Sequence, residues 1–202
     1  MAKFKILQED QSYTFRSYFE MTYEVDQILA ELGYGFTSDV LELPKTGKSL
    51  TPFNQLQQDI QDSLKLIILS SETARREVII APILLAVARF CRCQIRLEYP
   101  LHVSNWLKGN LDYLLKSPQN FLVVEAKKED LSRGFTQLAA EMIALAQVEE
   151  QEIVYGAVTM GDGWRFGKLA QATRMITQDI MLYSVPAQLE LLLQILVGLI
   201  EL

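Results

Sequence analysis

Apolar positions along the chain follow two periods, and the changes from one to the other mark out its elements. Residues 4–20 are rich in aromatics. Tyr13 and Phe15 alternate with polar neighbours as on a strand, and Tyr18, Phe19 and Tyr23 follow. They are read as core, not as a surface on which bases stack. Residues 22–32 turn helical, with Val25, Ile28, Leu29 and Leu32 on one face and Gly33 and Gly35 to end the helix. Residues 37–51 carry Pro44, Gly47 and Lys48 in a polar setting and read as a loop.

Two helices are predicted next. The first starts at Pro52, with Leu56, Ile60, Leu64 and Ile67 along one stripe. The second starts after Ser70 or Ser71, either of which can cap it, and is apolar around most of its girth. Pro82 should kink it by removing a backbone donor. A strand over residues 94–99 leads to two further strands that flank Ser117-Pro118-Gln119-Asn120, a turn sequence. A long helix over residues 132–148 buries Phe135, Leu138, Ala139, Met142 and Leu145, with Gln137 and Glu141 on a different face. Strands over 153–160 and 164–169 are joined through Asp162-Gly163, a hairpin signal. A short strand over 180–183 precedes Pro186, which suits the first position of the final helix. That helix is very apolar, yet Gln188, Glu190, Gln194 and Glu201 interrupt it and it is short for a membrane span. Core packing is the expectation, with a homodimer interface as the alternative.

The order reads as one α/β domain of 202 residues, with residues 1–69 as an N-terminal elaboration packed on a main domain of 70–202. Cys91 and Cys93 stand too close for a usual structural disulfide, and with only His102 beside them a zinc site is not expected. No apolar leader precedes the first acids, so a reduced, cytoplasmic setting without membrane insertion is the expectation. A net charge of −6 argues against broad electrostatic adhesion to nucleic acid, although a local basic patch or a bound metal could still recruit a phosphate backbone. Thr46 to Ser49, TGKS, lacks the first glycine of a phosphate-binding loop, because position 42 is Glu.

One stretch carries chemistry. Whether the turn has two residues or four, the two strands flanking it pair so that Asp112 faces Glu125, and alternation puts Lys127 on the same face. Like charges directly opposite on neighbouring strands repel, and a divalent cation between them reverses that sign. The plainer reading is an amphipathic hairpin with its polar residues in water.

Helix, three strands, helix, two strands, with acids and lysine on the second and third strands, resembles the restriction-endonuclease-like superfamily of PD-(D/E)XK nucleases. Asp112 matches the aspartate, and Glu125-Ala126-Lys127 the E-x-K. Leu111 replaces the proline, Gln137 matches the glutamine on the following helix, and Glu141 stands where a tyrosine often follows. Ser71-Glu72, Arg76, Ile80, Pro82 and Leu84 are similar to a helix in the N-terminal nuclease domain of type I restriction-enzyme motor subunits. That makes Glu72 the candidate helix-borne acid, with Glu77 as its rival. The resemblance covers about residues 70–185.

It implies a mixed β-sheet flanked by helices, and Mg²⁺ or Mn²⁺ held by Asp112 and Glu125. Lys127 would orient or activate a water, its plainer reading being a salt bridge to Glu125, and Gln137 would position that water or the substrate. Arg133 is read as an exposed charge with a phosphate contact as the alternative, and Lys128 as a solvated charge. The implied function is metal-dependent phosphodiester hydrolysis of DNA. The alternatives are a catalytically inactive nuclease fold serving as a binding or assembly module, and a nuclease subunit served by a separate helicase or methyltransferase chain.

Overall fold

One mixed sheet runs through the molecule, and the order of its strands sets where the acids meet. The computed structural model describes residues 5–118 and 120–202, Pro52 by its backbone alone. Phe4 and the turn residue Gln119 therefore lie outside the described residues. The elements are α1 (Phe15–Glu20), α2 (Val25–Glu31), β1 (Gly35–Asp39), a 3₁₀ turn (Thr51–Phe53), α3 (Asn54–Leu66) and α4 (Glu72–Arg75). A π-helical segment (Arg76–Ile80) joins α4 to α5 (Ala81–Cys91). Then come β2 (Gln94–His102), β3 (Lys108–Lys116), β4 (Phe121–Ala126) and α6 (Leu131–Val148). The chain closes with β5 (Ile153–Thr159), β6 (Gly163–Ala170), β7 (Met175–Asp179), β8 (Tyr183–Ser184) and α7 (Leu189–Ile200).

Across the sheet the order is β1-β7-β6-β5-β4-β3-β2, with β8 beside β6. β2, β3 and β4 form an antiparallel meander, α6 crosses over, and β5 returns parallel to β4. The architecture is mixed α/β with helices on both faces. One face buries Ile83, Leu84 and Val87 of α5 and Leu192, Leu196 and Ile200 of α7 against Leu122 and Val124 of β4. The other buries Phe135, Leu138 and Met142 of α6, with Phe15, Tyr18, Ile28 and Leu29, against Leu114 and Val123. Residues before 70 thus contribute a sheet strand as well as helices on both faces.

The hairpin register is the one the turn sequence implies. Lys116 faces Phe121, Leu115 Leu122, Leu114 Val123 and Tyr113 Val124. The ladder ends there, one rung short of Asp112 and Glu125. Ser71 caps α4 by accepting the Ala74 N–H at 3.0 Å. The disturbance expected from Pro82 takes the form of the π-helical turn just before it, where Ala81 N–H bonds the Arg76 carbonyl.

Four local expectations are corrected. Tyr13 and Phe15 do not lie on a strand: Phe15 opens α1, because Phe15, Tyr18 and Phe19 share a side at helical spacing and Ser17 Oγ accepts the Thr14 N–H at 3.0 Å. Residues 37–39, read as part of a loop, belong to a strand over 35–39 that pairs in parallel with 175–179, where no element is predicted, at the sheet edge. Their polar Thr37, Ser38, Thr177 and Gln178 carry no core signal, so pairing and not local pattern makes them strands. The strand expected over 180–183 shrinks to Tyr183–Ser184, with Ile180, Met181 and Leu182 exposed. Pro186 follows a cis peptide bond in the turn ahead of α7, which starts at Leu189.

Apart from half-buried Leu191, the apolar residues of α7 are buried, as core packing requires. Among the described residues no helix is long and apolar enough to cross a membrane.

Candidate active site

Beyond the last rung of the hairpin, β3 and β4 exchange a side chain in place of backbone. Asp112 Oδ2 accepts the Ala126 N–H at 2.8 Å. On its other flank Asp112 stands opposite Glu98, which lies between the Leu97–Tyr113 and Tyr99–Leu111 pairs with a left-handed backbone (φ 49°). Arg76 links the two, with Nη2 donating to Glu98 Oε1 at 2.8 Å and Nη1 3.5 Å from Asp112 Oδ1. Its guanidinium lies 5.1 Å from the centre of the Tyr113 ring.

Glu125 ends β4 on the face toward α6 and is 1% exposed. Lys127 Nζ sits 2.5 Å from Glu125 Oε1 and donates to Gln137 Oε1 at 2.9 Å. Gln137 Nε2 in turn donates to Glu125 Oε1 at 2.7 Å and to Glu141 Oε1 at 2.8 Å. The stem of Lys127 passes close over Gly134, where a Cβ would come within 3.0 Å of Lys127 Cγ and 2.7 Å of Val158 Cγ2. Glycine at that point lets α6 approach the sheet closely enough to place Gln137.

Charge is costly here. Burial first, and then the Asp112 charge, push Glu125 up to about 8. Burial, joined by the Glu125 charge, raises Glu141 well above the usual carboxylate range. Burial also raises Asp112, against the pull of the Ala126 N–H, Arg76 and Lys127. Glu125 Oε2 and Glu141 Oε2 are buried and lack a hydrogen-bond partner.

A cavity of about 530 Å³ opens above these groups. Asp112, Glu125, Lys127, Gln137 and Glu72 all line it, so the five candidates are brought together. Glu72, half-buried at the start of α4, is the helix acid that lines the cavity, while its rival Glu77 is exposed and does not. Lys128 is exposed, as expected of a solvated charge, and stands at the rim. Arg133 pairs with Asp130 at 3.3 Å beside a different hollow.

Sequence reasoning missed three contributors. Glu141 shares the Gln137 amide, and its spacing four residues after Gln137 was the available signal. Arg76 was noted for its spacing but not as the partner of Asp112. Thr14, Phe15, Arg16 and Phe19 of the α1 region form a cavity wall, with Phe19 half-buried and its ring centre 4.7 Å from Lys127 Nζ. Nothing local in the sequence points there.

Among the described residues, no three His, Cys, Asp or Glu side chains gather as a metal-binding group. The Asp112–Glu125 pair still has one feature that suits a hard divalent cation: Glu125 Oε2, a buried acceptor without a donor. No protein-family model, curated protein or solved structure matches the chain.

Proposed function

We propose that this protein is a metal-dependent phosphodiesterase acting on DNA, built on a restriction-endonuclease-like fold. The single observation that carries the reading is the convergence of Asp112, Glu125, Lys127, Gln137 and Glu72 on one cavity. The run α5-β2-β3-β4-α6-β5, with the acids on β3 and β4, supports the same reading.

Asp112 and Glu125 are the residues that would hold Mg²⁺ or Mn²⁺, with water completing the oxygen shell. When bound, such an ion polarises a phosphate oxygen and lowers the pKa of a water. Lys127 supplies the positive charge facing the phosphoryl group and orients the attacking water. Gln137 fixes Lys127 through its oxygen and Glu125 through its nitrogen, so one amide sets both groups. Arg76 and the Ala126 N–H hold the Asp112 carboxylate.

A second reading has its own support. Lys127 already neutralises Glu125 and Arg76 already faces Asp112, an arrangement that suits a nuclease fold retained as a binding or assembly module. Cleavage of labelled DNA in Mg²⁺ and in Mn²⁺, with wild type and Lys127→Ala, separates the two. The nuclease reading expects cleavage that Lys127→Ala lowers at least about 100-fold. Intact DNA in every metal would leave the binding module standing.

A further inference from the structure

We infer that the cavity takes an unpaired DNA strand, with the base beside the bound phosphate stacked on Phe19. This rests on the nuclease reading for its ligand and deepens it by naming the form of the substrate. Three observations carry it.

The reactive groups lie on a floor. Glu125 is 1% and Gln137 5% exposed, so a phosphate must enter the cavity to meet them. A volume of about 530 Å³ is in the range that encloses a small molecule. That volume admits a nucleotide. Enzymes that act on a base within a pocket take a strand that is already single or flip the nucleotide out of its stack, and a nucleotide drawn down to this floor meets the same demand.

The wall that narrows the entrance is fixed. Phe15 and Tyr18 are buried at 1% and 0% exposure, and the Tyr18 hydroxyl donates to the Trp106 carbonyl. Tyr13 N–H bonds the Asn105 carbonyl at 2.8 Å. Gly109 (φ 144°) lies so close that a Cβ there would sit 2.8 Å from the Phe15 ring. These anchors pack α1 against β3 and the loop before it.

The charge balance calls for a contact other than phosphate neutralisation. Five acids (Glu72, Glu98, Asp112, Glu125 and Glu129) line the cavity, against three cations, Arg16, Lys127 and Lys128. Arg16 is already bonded to Glu20 at 3.0 Å. Affinity for a strand in such a setting comes from aromatic stacking, which every base offers. Phe19 is half-buried at the cavity wall, with Lys127 Nζ over one face of its ring, so that a base is to stack on the other face.

The test measures fluorescence anisotropy of a labelled 12-nucleotide DNA single strand and of a blunt duplex of the same sequence, in Ca²⁺. Wild type, Phe19→Leu and Phe19→Trp are compared after their melting curves are shown to agree. We expect the single strand to bind at least about 10-fold tighter than the duplex, Phe19→Leu to lose about 5–150-fold, and Phe19→Trp to retain binding. Equal binding of the duplex, no single-strand binding, or an unchanged Phe19→Leu overturns the inference. A parallel cleavage assay in Mn²⁺ keeps the two claims apart. Phe19-dependent single-strand binding without cleavage rejects the nuclease and keeps the inference. Equal binding and cutting of the duplex does the reverse.

Discussion

Glu125 and Glu141 accept hydrogen bonds from one nitrogen, Gln137 Nε2, at 2.7 and 2.8 Å. Both carboxyls are buried, and each has a second oxygen that no amide or hydroxyl donor reaches. The shared amide and a hydrogen bond between the two carboxyls, which requires one of them to be protonated, hold the acids together next to a lysine that only one of them reaches.

This arrangement sets a pH dependence of stability. Burial raises the folded-state pKa of both acids above the unfolded value, with Glu125 at about 8. Their contribution is complete below the unfolded carboxylate range, near 4.5, and is lost as pH rises through the folded value. In chelator, Tm should fall by at least about 5 °C between about pH 5 and pH 8, at about 2–4 °C per kcal/mol for this length. Glu141→Gln mimics the protonated acid and should flatten that slope. A slope unchanged in the variant counts against the account.

Removing the amide should cost more than removing a charge. Gln137→Leu leaves oxygens of Glu125 and Glu141 and the Lys127 ammonium each short of a partner. A loss of about 1–3 kcal/mol is expected from urea denaturation, the cost of one buried polar group left unsatisfied, and more if several stay dry.

Asp112→Asn separates fold from metal. The asparagine oxygen can still accept the Ala126 N–H, so the strand end keeps its partner. Losing the charge that helps raise Glu125 should leave the metal-free Tm at pH 8 equal or slightly higher. Calorimetric titration with Mn²⁺ should show binding to wild type and none to the variant. Equal heats in both would remove Asp112 from the site.

Gly198→Ala probes the seam between α7 and the loop before α3. A Cβ there would lie 2.5 Å from the Pro44 carbonyl oxygen, a backbone atom that cannot rotate away. The helix-propensity gain of about 1 kcal/mol is then outweighed, and net destabilisation of about 1–2 kcal/mol is expected by thermal melting.

Much of this arrangement is legible in the sequence. The Ser117–Asn120 turn sequence determined the β3/β4 register, because strand side chains alternate and a slip of one residue would invert every face. That put Asp112, Glu125 and Lys127 together, while Gln137 was implied only by the resemblance to the nuclease superfamily and reaches Glu125 and Lys127 through the packing of α6. The period of α3 was likewise legible, since burial on one side writes itself into the pattern.

Tertiary structure decided the rest. β1 and β7 are strands because they pair with each other, although neither sequence alternates. Glu141 became a site residue because α6 is buried on nearly every side, so a position off its apolar stripe still faces the sheet. Glu72 was separated from Glu77 only by the direction α4 takes. α1 became the cavity wall through contacts with Trp106 and Gly109, some 90 residues away in the chain. Local sequence encodes period and pairing sense; which distant segment closes a cavity depends on contacts that no short window of sequence contains.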